Sequence, residues 1–334
     1  MRNCAACNAG AFTLRNCGRC SVCLFAVIVV IAVFAACGSQ PASNAGTEPG
    51  SAAAPPEKTP VQPVRALIEM ISVPGGSFSM GSPKGTAFSL DIERPVHQVT
   101  VGGFFLGKYE VTQGQFFEVM GTRPSNFITN ADDPGPDGWM KLPVEMVNWY
   151  ETLVFCNRLS IKEKLSPVYR INGSTDPDTW GPVPRVKNAG WDAVEMIGGA
   201  DGYRLPTESE WEYAARGGSA GPKNATYAGS STAGTVSWYY DNSGFRIHEI
   251  GTKAPNELGL YDMSGNAMEW CWDWLGGFDA ENKDNPTGPA TGQYRVIRGG
   301  GWSVSVHYSR VPYRHNNLPS YQGVNLGFRV ARSS

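Results

Sequence analysis

A glycine frame near the end of the chain constrains this protein more than any other feature. Arg298-Gly299-Gly300-Gly301-Trp302 opens the frame, and Asn325-Leu326-Gly327-Phe328-Arg329-Val330 closes it. Consecutive glycines allow turns and close backbone approaches that a Cβ forbids, so the frame reads as rigid backbone. Residues 303–325 between the two halves contain no Lys, Asp, Glu, Trp, Met or Cys. They hold Tyr308, Tyr313, Tyr321, His307 and His315 among Ser and Asn, with only Arg310 and Arg314 as full charges. Tyr gives broad amphipathic contact at low entropy cost, and Ser, Asn and Gly give adaptable hydrogen bonds, as in antibody loops. The segment points to recognition rather than chemistry.

The rest of the chain sets bounds on the fold. Its 334 residues suffice for one large domain or two small ones. With 40 Gly and 24 Pro, a loop-rich fold is expected rather than a helix bundle. The net charge is −2 and no basic stripe occurs, which argues against a nucleic-acid partner.

The N-terminus reads as an export signal. Arg2, Arg15 and Arg19 precede an uncharged apolar run over residues 22–36. That run is short for a membrane span but suits the apolar region of a secretory signal. It ends in Phe34-Ala35-Ala36-Cys37, which resembles a bacterial lipobox. The resemblance implies cleavage after residue 36, lipidation of Cys37 and a place in the cell envelope. The alternative is a signal anchor that stays uncleaved. Cys4-x-x-Cys7 and Cys17-x-x-Cys20 have zinc-ribbon spacing, but they would be discarded with the signal. Only Cys37, Cys156 and Cys271 would then remain, leaving room for one disulfide. Residues 37–65 are rich in Ser, Ala, Pro, Gly and Gln without aromatics and read as a tether. A single folded domain is expected over residues 66–334.

Within that domain three helices are marked by their caps. Thr112-Gln113-Gly114-Gln115 is a capping box ahead of an apolar run that stops at Gly121. Asn148-Trp149-Tyr150-Glu151 starts a second helix, with Trp149, Leu153, Cys156 and Leu159 on one face. Thr207-Glu208-Ser209-Glu210 starts a third, with Trp211, Ala214 and Ala215 facing inward. Short strands are expected over 70–73, 96–101, 104–109, 294–298 and 327–331. Few helices, short strands and long loops give an α+β class.

A series of segments resembles one family in order. They are Val73-Pro74-Gly75-Gly76-Ser77-Phe78-Ser79-Met80-Gly81, then Tyr109-Glu110-Val111-Thr112, Pro143-Val144 and Asn148-Trp149. Next come Tyr203-Arg204-Leu205-Pro206-Thr207-Glu208-Ser209-Glu210-Trp211-Glu212, residues 256–270, Arg298-Gly299-Gly300 and Leu326-Gly327-Phe328-Arg329. This pattern is similar to the formylglycine-generating-enzyme (sulfatase-modifying factor) domain from about residue 67 onward. The resemblance implies an elaborated C-type lectin fold. Active enzymes of the family bind copper through two cysteines after the Gly-Gly pair, because soft thiolates select Cu(I). Here those positions fall at Val304 and Ser309, and no Cys follows Cys271. The copper oxidase activity is therefore expected to be absent, with no catalytic residue and no catalytic cofactor. A second enzymatic branch uses a His-rich iron-binding helical module. This chain has only His97, His248, His307 and His315, and His97 reads as structural.

The layout also resembles the variable proteins of diversity-generating retroelements, which display a C-type lectin fold at the cell surface. There, mutagenic reverse transcription rewrites adenines of a template. An Asn codon can become many residues this way, but not Lys, Glu, Gln, Met or Trp. Within residues 303–325 only Gln322 lies outside that reachable set. The resemblance implies a ligand-binding surface with two walls. Ser303, Val304, Ser305, Val306, His307 and Tyr308 form one. His315, Asn316, Asn317, Leu318, Ser320 and Tyr321 form the other. Arg310, Arg314 and Pro319 are then framework. The competing reading has these as ordinary loop residues around a degenerate cleft, with Val304 and Val306 in a buried strand. The expected partner is a protein or glycan at the cell surface, with the membrane reached through the lipid.

Two further groups carry alternatives. Asp262-Met263-Ser264-Gly265-Asn266-Ala267-Met268-Glu269 resembles a structural calcium loop of the family. Asp262 and Glu269 would give carboxylate oxygens, and Met263, Gly265 and Ala267 backbone carbonyls, a donor set suited to calcium. The other reading is a turn held by hydrogen bonds alone. Trp270, Trp272 and Trp274 read as core, with a sugar platform as the alternative. For the chain as a whole, the alternative to a receptor or adhesin is an exported enzyme of this family with copper-independent chemistry. A structural envelope lipoprotein is the third reading.

Overall fold

In the computed structural model, the described residues are 66–131, 133–221, 225–279, 281 and 283–334. The expected signal, Cys37 and the tether lie outside them. The elements begin with β1 (Met70–Val73), β2 (Gly76–Met80), β3 (His97–Val101) and β4 (Phe104–Gly107). Helices α1 (Gln113–Met120) and α2 (Trp149–Lys162) follow, then β5 (Tyr169–Arg170), α3 (Ala189–Asp192), β6 (Glu195–Met196) and β7 (Tyr203–Arg204). Next are α4 (Glu208–Ala215), α5 (Ala233–Val236), β8 (Met268–Trp274) and β9 (Arg295–Arg298). The chain closes with β10 (His315–Asn317), β11 (Leu326–Gly327) and β12 (Ala331–Ser333).

The three expected helices form with the expected caps. Thr112, Asn148 and Thr207 each accept from the backbone N–H three residues on, and the residue there reaches back to close the box. Each such cap is worth about 1 kcal/mol. Gly121 ends α1 in the left-handed region, at φ 70°. The apolar face foreseen for α2 is buried, but so is most of the rest of that helix. Asn157, beside that face, donates to the carbonyls of Tyr169 and Thr175 and accepts from the Tyr169 N–H. Buried polar groups survive only when bonded in this way.

Two four-stranded sheets organise the domain. One runs β1-β4-β12-β7, with antiparallel pairings throughout. The other runs β10-β9-β8-β11, with β11 parallel to β8. Strands β2 and β3 make a separate hairpin. The expected strand over 327–331 is split between the two sheets, with Phe328, Arg329 and Val330 buried at the crossing. Arg329 fastens this crossing. Its guanidinium contacts both Glu269 oxygens, at 2.7 and 2.6 Å, and donates to the carbonyls of Gly107 and Tyr261.

One core packs α1 and α2 against Trp270, Ile297 and Phe328. A second packs Trp211, Ala214 and Ala215 of α4 against β2, β3 and β4. Cys156 and Cys271 are both buried and free, so the disulfide left open by composition is not formed.

Candidate functional site

The glycine frame places the terminal segment. Gly300 adopts φ 69°, and a Cβ there would lie 2.5 Å from the Tyr308 carbonyl oxygen. The backbone of Tyr308 and Ser309 therefore passes directly over a residue that must be glycine. Val306, His307, Tyr308 and Ser309 form a single 3-10 turn rather than a strand. Downstream, β10 pairs with β9, setting His315 opposite Ile297, Asn316 opposite Val296 and Asn317 opposite Arg295. Tyr308 and His315 both lie against Tyr313, with ring centroids 4.9 and 6.4 Å away. The two expected walls are thus joined through one largely buried tyrosine.

Exposure divides the segment cleanly. Ser305, Tyr308 and Tyr321 are exposed, and Ser303, Val306, His307, Asn316, Asn317, Leu318 and Ser320 are half-buried. His315 is half-buried too, and that burial lowers its pKa. Val304 departs from the expected open wall: its side chain packs against the main core. Its carbonyl accepts from the Tyr240 N–H. Ser309 is buried, and its Oγ has no partner among the described residues.

Arg310, Arg314 and Pro319 sit in the interior, as expected of framework. Arg310 is paired with Glu93 through two contacts. Arg314 is paired with Glu208 through two contacts of 2.6 Å. The Pro319 carbonyl accepts from the Trp149 N–H at the start of α2. Both charges of the segment are therefore consumed inside the fold, and the surface it presents is uncharged.

Residues outside the segment extend this surface. Phe88 is 63% exposed and stacks on His307, with centroids 3.5 Å apart and planes 15° apart. Phe245 is 65% exposed and meets Tyr240 edge-on at 5.1 Å. Both phenylalanines hold positive φ, 60° and 61°. Bulky residues rarely adopt that conformation, and such strain concentrates where function demands it. Sequence reasoning missed both. The available signal was a lone Phe inside the small-residue stretches Thr86-Ala87-Phe88-Ser89 and Ser243-Gly244-Phe245.

In the expected calcium loop the two carboxylates differ in how they are engaged. Both Glu269 oxygens are taken by Arg329, and Oε2 also accepts from Trp211 Nε1 at 2.7 Å. Asp262 Oδ2 accepts from the Gly251 N–H, while the Ala267 N–H donates to Glu110. Met263 and Ala267 are buried on the same turn, and Gly265 is pinned by its N–H to the Gly299 carbonyl. Glu110 and Asp262 compensate differently. Burial raises both carboxyl pKa values, that of Asp262 to about 6, and their proximity to Glu269 adds to the rise. Asp262 Oδ1 has no hydrogen-bond partner among the described residues, so the loop keeps one free buried carboxylate oxygen beside the engaged Glu269.

The remaining candidates are structural. Trp270 and Trp274 are buried, Trp270 Nε1 donates to the Val147 carbonyl, and Trp272 stacks on Tyr169. These are core contacts, not a sugar platform. His97 is buried beside Phe278, with Nδ1 3.0 Å from the Pro95 carbonyl oxygen.

Known proteins share this architecture. The sulfatase-modifying factor enzyme 1-like domain matches residues 55–334. The formylglycine-generating enzyme of Streptomyces coelicolor is 30% identical over 325 residues, covering 89% of this chain and 96% of that protein. The chaperone protein LppX of Paenibacillus barcinonensis is 39% identical over 253 residues, covering 70% of this chain and 82% of that protein. The solved structure of Treponema denticola variable protein 1 is 37% identical with a TM-score of 0.70, covering 79% of this chain and 95% of that one. The fold is thus the α+β, C-type lectin fold of the formylglycine-generating-enzyme subtype, and this chain belongs to the sulfatase-modifying factor family.

Proposed function

We propose that this protein is a non-enzymatic, surface-displayed receptor or adhesin whose ligand is set by residues 303–325. In this reading residues 1–36 are a lipoprotein signal peptide and Cys37 carries the lipid. Residues 37–65 give reach from the membrane, and residues 66–334 hold the binding domain. The terminal segment is diversified by a retroelement, and the partner is a protein or glycan at the cell surface.

One observation carries the reading. Within the segment, both arginines are buried in ion pairs while the exposed side chains are uncharged. A surface can be rewritten without unfolding its scaffold only if frame and face are separated in this way. Tyr308, Tyr321, Phe88 and Phe245 supply the aromatic contact area common in adaptable binding sites. The likeness to a variable protein supports the same reading. In this reading the family's copper chemistry is absent, because the positions expected for its two cysteine ligands fall at Val304 and Ser309, neither of which carries a thiol.

Sequencing the locus in several isolates tests the proposal. Variation confined to residues 303–325 is expected, with an adenine-biased near-copy of those codons beside a reverse transcriptase gene. An invariant segment with no such neighbour would overturn the retroelement part. Turnover lost on replacing the surface residue His307 would favour an enzyme instead.

A further inference from the structure

A cavity of about 250 Å³ opens at the N-terminus of α4, walled by Met80, Trp274 and Phe278 on its apolar side. Its polar side is built around Asp273, which is only 3% exposed. Asp273 Oδ2 accepts from the Glu208 N–H at 2.7 Å, whereas no described residue donates to Oδ1. Gly288 lines the same cavity at φ 74°, where a Cβ would lie 2.9 Å from Asp273 Cβ and 3.1 Å from Oδ1. The carboxyl is thus approached closely by backbone and left with one oxygen unused.

Arg314, the guanidinium in the wall, gives its hydrogen bonds to Glu208 and to the carbonyls of Ile92 and Gly276 rather than to Asp273. The charged neighbours of Asp273 are Glu208 and Glu210 of α4, Arg314 before β10 and Arg295 on β9. His97 and Asp279 face it across the cavity. Arg314 is matched by Glu208. Arg295 is held between the rings of Trp149 and Trp274, at 3.6 and 3.4 Å, and donates to the Trp272 carbonyl. Burial and the nearby Glu208 push the Asp273 carboxyl up to about 8. A desolvated carboxyl of this kind is stabilised in its charged form by a cation that enters the site. The volume lies just below the usual range for small-molecule pockets, roughly 300–1,000 Å³.

We propose that this cavity binds a small primary alkylammonium ion, with its ammonium on Asp273 Oδ1 and its chain against Met80, Trp274 and Phe278. The ammonium supplies the missing positive charge and hydrogen-bond donors, and the chain removes apolar wall from water. Binding below about pH 8 must expel the Asp273 proton, so affinity falls about tenfold for each pH unit below that value. The site rests on none of the reading of residues 303–325.

Calorimetric titration of the full chain with n-butylammonium chloride tests it, since that ion stays charged at both pH 9 and pH 6. The expected result is millimolar or tighter binding at pH 9, about a hundredfold weaker at pH 6, with no binding of neutral 1-butanol. Asp273→Asn keeps an acceptor for the Glu208 N–H and is expected to lose at least tenfold. Absence of binding at pH 9, pH-independent binding, equal binding of butanol, or unchanged binding by a folded Asp273→Asn would each overturn the proposal. If that variant does not fold, the pH and butanol comparisons on the natural chain decide.

Discussion

Arg310 and Glu93 lie 217 residues apart in sequence and form a buried ion pair through two contacts, at 3.0 and 2.8 Å. The same guanidinium donates to the carbonyls of Phe88 at 2.7 Å and His307 at 2.9 Å. One side chain thereby ties the loop carrying Phe88 to the turn carrying His307, and the two rings stack. Removing the guanidinium leaves Glu93 buried and unpaired. Arg310→Ala should lose about 3–5 kcal/mol, measured by urea unfolding. Arg310→Lys keeps the charge but not the fork, and should recover only part of that loss. A loss below about 1 kcal/mol in the alanine variant would show that the pair does not hold the fold.

The uncharged face of the segment should tolerate replacement. Ser305→Asp, Tyr308→Ala and Tyr321→Ala are each expected to change stability by no more than about 0.5 kcal/mol. Gly300→Ala should behave oppositely, losing about 1–3 kcal/mol through its positive φ and the clash with the Tyr308 carbonyl. Thermal melts of the four variants side by side check the contrast. Equal losses in all four would mean that frame and face are not separate.

The Glu269–Arg329 pair leads to a prediction about calcium. With Glu269 bound to Arg329 and Trp211, neither millimolar calcium nor EDTA should move the melting temperature. Glu269→Gln should cost about 3–5 kcal/mol in either condition, because it strands a buried guanidinium. A calcium-dependent rise in melting temperature would show that the loop opens to a cation after all.

Asp273 and Glu145 give a pH dependence with a definite sign. Burial raises their carboxyl pKa values to about 8 and about 7, above the value of about 4 expected in the unfolded chain. A raised folded-state pKa contributes stability that is complete below about pH 4 and is lost as pH rises through the folded value. The slope is on the order of 1 kcal/mol per pH unit for each group between those limits. Glu212, whose pKa is lowered by Arg216 and Arg298 against the cost of burial, acts in the opposite sense in acid. The difference between the natural chain and Asp273→Asn isolates one group. Urea unfolding at pH 5 and pH 8.5 should show a smaller fall with pH in the variant, and equal falls would contradict the assignment.

Much of the local structure was legible. The capping boxes at Thr112, Asn148 and Thr207 are contacts between residues three apart, so sequence spacing contains them. Arg310 and Arg314 were recognisable as framework within an otherwise uncharged segment. The strand expected over 327–331 failed because a short apolar run does not say which sheet it joins. Here it crosses from one sheet to the other at Arg329. Glu269 was ambiguous for a related reason: a carboxylate in a tight turn suits calcium or a guanidinium equally, and its pairing with Arg329 joins residues 60 apart in sequence.

By itself the sequence determined the helix starts, the glycine frame and the family to which the chain belongs. These rest on residue types at short fixed spacings, where backbone geometry and local hydrogen bonds act directly. Tertiary structure alone decided which side chains the segment exposes, how Phe88 and Phe245 reach it, and which arginine neutralises which acid. Those outcomes depend on contacts such as Arg329 to Gly107, 222 residues apart. Burial and charge pairing at that separation are set only when the whole domain closes.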